Sequence, residues 1–474
     1  MRIVVIGSGF VGLTHAAVLA ETGHHVVACD VDEERLAAFR SGRAAAIERY
    51  VSEPGLSAVV RDNLGRRLLF DCDVAAHLGG AEAVFLCLPT PPQPSGATDL
   101  TCYLRAASDL ARALARAPGR RRLVLVNKST VPIGTARQLR RILDEHGLAH
   151  VGVASNPEFL PQGGALEASR RPDRIVIGAD QPEDFALLRR VYAPYVNHVR
   201  IRYIETTPET AEAIKYVSNA LLLTYISFWN GVGARLAETL EGVRMGDLRV
   251  GVTADARIST WGSYVGNGAG GSCFGKDIRS LMDQLGRRGQ PIDLLRAVYD
   301  INQYQRAYLL DRAALEAGFN FNNKVVALLG LAFKKNTNDM RDSSALEVIR
   351  ALLARGVAGV RAYDPLVDEA AARRWLDPRQ NHLYERIGLH GSAAEAVRGS
   401  DALFISSDAE EFRSLADTIA GAVAPPYLIL DGRRMIADHG KLVERGFDYL
   451  AVGGTLEGPA AAAARQRSVG IIAA

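Results

Sequence analysis

The chain has 474 residues, of which 48% are hydrophobic and 23% charged, with a formal net charge of +3. That length calls for two or three domains, and the composition is that of a folded globular chain rather than a disordered or fibrous one. The small, evenly spread charge gives no basis for a nucleic-acid or membrane partner, and no apolar run reaches the ~18 residues that a bilayer span needs. The opening MRIVVIGSGFVGL is a strand running into glycines, without the apolar stretch and cleavage site of a signal peptide, so a cytoplasmic location is expected. The five cysteines form no Cys-x-x-Cys pair or Cys/His cluster, which argues against a metal and against a disulfide framework. Cys29, Cys72, Cys87 and Cys102 read as buried small apolar residues in or near strands.

Over residues 1–205, short β-branched runs alternate with helical stretches: RIVVIG, HVVACD, AVFLCLP, RLVLVNKS, VGVASNP and RIVIGA. Runs apolar on both faces and spaced by helices predict a parallel sheet between helix layers. From 206 to 318 the pattern is helical. It includes PETAEAIKYVSNALLLTYISFWNGVGARLAETL and PIDLLRAVYDINQYQRAYLLDRAALEAG, the latter predicted as one long helix. Alternation returns over 319–455 with KVVALLGLAF, VRAYDP, ALFISSD and YLILDG, and residues 456–474, rich in Ala, read as a tail. The expected class is α/β: two Rossmann-like doubly wound domains joined by a central helical domain with a long connecting helix.

Gly7, Gly9, Phe10, Val11 and Gly12 belong to a G-S-G-F-V-G turn between the strand RIVVI and an apolar helix. Gly7 permits the tight turn, Gly9 lets backbone approach a pyrophosphate, and Gly12 lets helix and strand pack closely. The next strand ends in Asp30, 18 residues after Gly12, where a carboxylate binds adenosine ribose hydroxyls and repels a 2′-phosphate. NAD is therefore the expected cofactor. Arg35 could bind a 2′-phosphate instead, but Asp30 holds the deciding position. The loop Leu88-Pro89-Thr90-Pro91-Pro92 and the segment Lys128-Ser129-Thr130-Val131-Pro132 each end a strand, at the carboxyl edge where open α/β sheets bind ligands.

Lys215 and Asn219 lie four residues apart on one helical face between apolar flanks, and together could stabilise an oxyanion. Taken alone they also fit a solvated Lys and an ordinary Asn. The run Gly268-Ala269-Gly270-Gly271-Ser272-Cys273-Phe274-Gly275-Lys276-Asp277 is a glycine-dense loop entering a helix. Cys273 near a helix N-terminus suits a thiolate nucleophile, against the alternative of a buried structural cysteine. Asp277, one turn on, can face Cys273 and position a water or an amine.

GSGFVGL, the Thr90-Pro91-Pro92 loop, KSTVP, SNPEFL, RRPDRIVIG, AEAIKYVSNA, GGSCFGKD, GLAFKKNTNDMRDSSALEVI, YDP and LDGRR occur in this order. In this the chain resembles the UDP-glucose/GDP-mannose dehydrogenase family over roughly residues 1–450, and Ser272 and Phe274 flanking Cys273 resemble its UDP-glucose branch. The resemblance implies a four-electron, NAD-dependent oxidation at the sugar C6, UDP-glucose to UDP-glucuronate, through a cysteine thiohemiacetal and thioester. It implies Cys273 as nucleophile, Lys215 and Asn219 at the oxyanions, Asp277 with Thr130 ordering water, and Glu158 as acid/base of hydrolysis. It assigns Asp30, Arg35, Thr90, Pro91, Ser129, Thr130, Gln162 and Arg341 to NAD. It assigns Glu158, Phe159, Leu160, Lys215, Asn219, Tyr264, Asn267, Gly268, Gly270, Phe333, Lys334 and Arg433 to the nucleotide sugar, with Arg257 supplied from a neighbouring subunit. At least a dimer with a shared active site is expected. Three departures bear on the substrate: Ala269 stands where the family has an aromatic residue, Gln162 replaces a Glu, and Trp261-Gly262-Ser263 is an unusual lead-in. A GDP-mannose or other NDP-hexose 6-dehydrogenase is the alternative enzyme, and a catalytically silent NAD-binding scaffold the alternative class.

Overall fold

The computed structural model describes residues 1–116 and 122–464. The chain forms two compact units, residues 1–218 with 279–291 and residues 219–278 with 292 onward. The first is built on eight strands: β1 (Arg2–Ile6), β2 (His25–Cys29), β3 (Leu68–Asp71), β4 (Ala83–Leu86), β5 (Val124–Asn127), β6 (Gly152–Ser155), β7 (Arg174–Ala179) and β8 (Arg202–Thr206). Their order is β3-β2-β1-β4-β5-β6-β7-β8, so connections leave β1 in both directions, the doubly wound arrangement. Ile3 and Val5 pack into one core layer and Val4 into the other. Both faces of the strand are buried, which is why RIVVI shows no polar alternation.

The expectation of a parallel sheet fails at one pair: β7 runs antiparallel to β6, with Ala154 opposite Ala179 and Ser155 opposite Gly178. In this register β7 begins beyond the carboxyl end of β6, so the intervening loop and the helix Ala165–Arg170 connect the strands at one edge and no crossover is required. The edge strands β3 and β8 escape sequence reading because they are only partly buried and lack a continuous apolar run.

The second unit carries β9 (Val325–Leu329), β10 (Gly359–Tyr363), β11 (Ile387–Leu389), β12 (Ala402–Ile405), β13 (Leu428–Asp431) and β14 (Asp448–Ala451). They pair in parallel in the order β11-β10-β9-β12-β13-β14. The helix Pro208–Phe228 continues through a π-helical turn, Trp229–Gly233, into Ala234–Thr239. The single helix expected after Pro291 is instead two, Asp293–Gln305 and Tyr308–Glu316. Neither Gly nor Pro marks the break. The buried Arg306 guanidinium is drawn onto Asp342 at 2.5 and 2.8 Å and onto the Ala269 carbonyl at 3.0 Å, and this anchoring overrides local helix propensity.

Two smaller expectations are also corrected. Cys29 is buried and Cys87 partly so, but Cys72 and Cys102 are exposed, the first just past the end of β3 and the second in the first turn of the helix Thr101–Arg116. The segment expected as a tail from residue 456 is packed where it is described. Leu456 and Ala461 join the core, and Glu457 exchanges backbone hydrogen bonds with Tyr449 at 2.9 Å. Residues 465–474 lie outside the described residues. Among the described residues, no helix is long and apolar enough to cross a membrane.

Candidate active site

In the first unit the candidate cofactor residues gather at the carboxyl ends of β1, β2, β4 and β5. Gly7 adopts φ +91°, the left-handed turn that glycine permits, and a Cβ at Gly12 would lie 1.8 Å from the Gly7 carbonyl oxygen. Gly9 begins the helix Phe10–Glu21, which has no side-chain cap, and nothing lies within 4 Å of where a Gly9 Cβ would be. Uncapped N–H groups behind an open glycine fit a pyrophosphate. Asp30 accepts from the Ser8 N–H at 2.7 Å, the Ser8 hydroxyl at 2.9 Å, the Asp32 N–H at 3.1 Å and Arg35 Nη1 at 2.9 Å. Burial opposes its ionisation, yet these donors hold its carboxyl below the usual range. Arg35 is engaged by Asp30 and by Asp32, at 3.3 Å. The two following loops are tied together: Thr90 Oγ1 donates to the Thr130 carbonyl at 2.9 Å, and Ser129 Oγ to that of Leu88 at 2.7 Å.

Beside these loops a small cleft is lined by Asn127, Ser129, Thr130, Ser155, Glu212 and Lys215. Lys215 Nζ pairs with Glu158 Oε1 at 3.0 Å, with both side chains buried, and Glu158 also accepts from the Leu160 N–H at 2.6 Å. Burial alone would raise the Glu158 carboxyl; Lys215, the Leu160 N–H and Lys128 together keep it below the usual range. The Phe159 ring lies against two cations, with Arg174 3.8 Å and Lys215 5.6 Å from its centre.

Sequence reasoning passed over several residues here. Lys128 is buried, with Nζ 3.0 Å from Asn156 Oδ1. Glu212, one turn before Lys215, accepts from the Gly134 N–H at 2.6 Å, the Ala136 N–H at 2.9 Å and Ser155 Oγ at 3.0 Å. Glu53 collects the N–H groups of Gly163, Ala165 and Leu166 at 2.8, 2.6 and 3.3 Å, fixing the loop that carries Gln162. The available signal was a charged residue closing an otherwise apolar run, as in VLVNK.

In the second unit Cys273 is exposed and immediately precedes the helix Phe274–Gly286. Asp277 closes the first turn, its N–H bonded to the Cys273 carbonyl at 2.8 Å. The Asp277 carboxylate is buried between Asn219 Nδ2 at 2.6 Å and Lys276 Nζ at 2.5 Å. Arg341, paired with Asp339 at 2.6 Å, lies within electrostatic range of Cys273. A cation and a helix start both favour a thiolate. The glycine loop is closely fitted: Gly271 has φ +91° and a Cβ there would meet the Phe333 ring at 2.9 Å, while one at Gly270 would meet the Asp342 carbonyl at 2.7 Å. Asn302 grips Ala269 from both sides, donating to its carbonyl at 2.9 Å and accepting from its N–H at 2.7 Å. Asn302 and Arg306, an i, i+4 pair, were not singled out from sequence.

At the carboxyl end of β12, Asn267 Nδ2 donates to Ser406 Oγ at 2.9 Å and Arg433 Nε to the Ser406 carbonyl at 3.0 Å, which brings Asn267 and Arg433 together. Burial lowers the Arg433 guanidinium from its ordinary value, and Tyr264 lies within its electrostatic range. The Asn267 Oδ1 is buried without a partner. Gly268, at φ +76°, begins the glycine loop, and Lys334 stands over the Phe333 ring at 5.6 Å. Arg257 stands apart, facing solvent with its guanidinium 2.6 Å from Asp255.

Three sequence profiles of one family match in order: the NAD binding domain over 1–196, the central domain over 209–304 and the UDP binding domain over 327–438. The chain belongs to the UDP-glucose/GDP-mannose dehydrogenase family. A UDP-glucose 6-dehydrogenase of Pseudomonas aeruginosa is 39% identical over 462 residues, covering 96% of this chain and 97% of that protein. Within the family, a solved UDP-glucose dehydrogenase from Pyrobaculum islandicum is similar with TM-score 0.81 and 32% identity, over 92% of this chain and 94% of that one. A UDP-D-ManNAc dehydrogenase from Pyrococcus horikoshii follows at TM-score 0.79 and 27% identity, over 96% and 99%. The NAD-binding domain of the family is thus present here, as is the two-sheet α/β architecture with its helical centre.

Proposed function

We propose that the protein oxidises the C6 alcohol of UDP-glucose to the carboxylate of UDP-glucuronate. The observation that carries this reading is Cys273, an exposed thiol at a helix start within electrostatic range of Arg341 and one turn from the buried Asp277. The near full-length similarity to UDP-glucose 6-dehydrogenases supports the substrate. Two NAD⁺, bound in succession, would each accept one hydride, one for each of the two-electron oxidations. Asp30 binds the adenosine ribose, and the start of the Phe10–Glu21 helix receives the pyrophosphate. The Cys273 thiolate adds to C6 of the aldehyde, and Lys215 and Asn219 stabilise the oxyanion of the thiohemiacetal. Loss of a second hydride leaves a thioester. Glu158, held ionised by Lys215, takes a proton from water, which attacks the thioester carbon and releases the thiolate; Asp277 and Thr130 order that water. Tyr264, Asn267, Phe333, Lys334 and Arg433 hold the nucleotide sugar, and Gln162 and Arg341 flank the cofactor.

Residues 1–205, 206–318 and 319–455 serve in this reading as cofactor, helical and nucleotide-sugar domains of a cytoplasmic enzyme. Its working unit is at least a dimer with a shared active site. In support, Leu221, Phe228, Val232, Leu236 and Leu240 leave 38–66% of their surface exposed along one stretch of the helix and its end. A second copy would cover this face. Arg257, facing solvent, reaches the partner's sugar.

The test incubates purified protein with NAD⁺ and UDP-glucose, GDP-mannose and other nucleotide hexoses, reading NADH by absorbance. UDP-glucose should be used at least tenfold better by kcat/KM, and Cys273→Ser should abolish uronate formation while retaining NAD⁺ and substrate binding. Preference for another sugar, or normal turnover by the serine variant, overturns the reading. Mixed Arg257→Ala and Cys273→Ala proteins should regain part of the activity each lacks; full activity from a monomer in light scattering overturns the shared site.

A further inference from the structure

The most unusual buried charge in the first unit has no part in the chemistry above. Lys128 directly follows β5 and is only 8% exposed, and its ammonium donates to Asn156 Oδ1 at 3.0 Å. The same Asn156 oxygen accepts from the Tyr192 hydroxyl, and Asn156 Nδ2 donates to the Val176 carbonyl at 2.8 Å. The orientation of the amide is therefore fixed: the oxygen takes Lys128 and Tyr192, the nitrogen donates to β7. Asn156 is separated from Glu158 by a single proline, which locks the backbone between them. Any force that sets Asn156 thus sets the entry of the Glu158 side chain.

The groups that face the Lys128 ammonium come from every element around it. His15 lies on the helix Phe10–Glu21, Cys87 just beyond β4, Glu158 beyond β6, and Lys215 on the helix Pro208–Phe228. Of these, Glu158 is the acid held below its ordinary range, while burial pushes the Cys87 thiol up to about 12 and His15 well below its ordinary value. Neither Cys87 nor His15 brings a compensating charge at neutral pH. Burial likewise pushes the Lys128 ammonium down to about 8. A cation kept at such a cost in a water-poor setting calls for a counterpart. The carboxylate that pairs with Lys215 is the one the surroundings offer.

We propose that Lys128 is a positioning residue for Glu158: it clamps the Asn156–Pro157–Glu158 segment through the Asn156 amide and supplies a second cation within electrostatic range of Glu158. Lys215 then remains available to the substrate oxyanion, because Glu158 does not depend on it alone to stay ionised. Nothing is transferred to or from Lys128 in the reaction; its contribution is a fixed geometry and, on the acidic side of its lowered range, a positive charge. The proposal rests on the reading that Glu158 acts as base in thioester hydrolysis.

The test compares the full-length parent with Lys128→Met, Lys128→Arg and Glu158→Gln. Uronate formation is followed from pH 3.5 to 9, and the fraction of chain carrying a covalent sugar adduct at steady state is read by intact-mass spectrometry. Lys128→Met should move the acidic limb of kcat upward by at least about half a pH unit, a roughly threefold change in proton concentration. It should accumulate adduct near the lower limb, and KM for NAD⁺ and for UDP-glucose should stay within about twofold of the parent. Lys128→Arg should return the limb to its parental position. A merely structural lysine would instead lower activity by the same factor at every pH, with no adduct, and that result overturns the proposal. If the methionine variant does not fold, Lys128→Gln, whose amide still donates to Asn156, reads the same limb. Glu158→Gln separates the two failures. Parental hydrolysis in that variant removes the base itself and Lys128's role with it. Slow hydrolysis there, with a parental limb in Lys128→Met, removes Lys128 alone.

Discussion

Replacing Lys215 with Met tests the buried ion pair directly. The pair is 3.0 Å long with its two side chains 6% and 8% exposed, so solvent screens it little and the methionine stem fills the same volume. Removing one partner of such a pair costs about 3–5 kcal/mol, because the remaining charge is left without compensation. In a unit of this size that corresponds to a fall in Tm of about 6–20 °C. The pH dependence gives the sharper reading. In the parent, Glu158 ionises below its ordinary range, so it adds stability above an unfolded value near ~4.3 and loses it as pH falls through the folded value. In the variant, burial is less opposed and the Glu158 carboxyl rises, so the protein loses stability as pH climbs through the raised value. The gap between parent and variant should therefore widen from pH 4 to pH 7 in calorimetric scans. The double variant Lys215→Met/Glu158→Gln should recover much of the loss at pH 7. A gap that is flat with pH and smaller than about 2 °C would refute the reasoning.

Asp30→Asn should lower the NAD⁺ to NADP⁺ ratio of kcat/KM at least tenfold, about 1.4 kcal/mol, because the amide no longer repels a 2′-phosphate; an unchanged ratio places the ribose elsewhere. Gly12→Ala sets a methyl 1.8 Å from the Gly7 oxygen and should abolish NADH binding in a fluorescence titration, with retained affinity as the contrary result.

Local signals made the cofactor half legible. The β1 strand, its glycine turn and Asp30 lie within one short segment, so the turn and the acid beside it could be read together from the local pattern. The same holds for Cys273, Phe274 and Asp277, which share one helical turn. The residues that brace these groups were not legible, because their partners are distant in the chain. Asn156 meets Lys128 and Tyr192 across 28 and 36 residues, and Glu53 holds a loop more than a hundred residues away. No short-range periodicity encodes such meetings. The antiparallel β7 was missed for a related reason, since RIVIGA reads the same in either direction. The break near Arg306 was missed because the local sequence is a sound helix and only the pull of Asp342 and Ala269 interrupts it.

The grip of Asn302 and Arg306 on Ala269 has a thermodynamic consequence. A segment as rich in glycine as 268–271 has much conformational entropy to lose on ordering. Here that loss is incurred once, when the helix ending at Gln305 docks and its amide and guanidinium close on the Ala269 peptide. Cys273 is then mounted on an already stiffened support, so a ligand meeting it there would spend little binding free energy on arranging the loop.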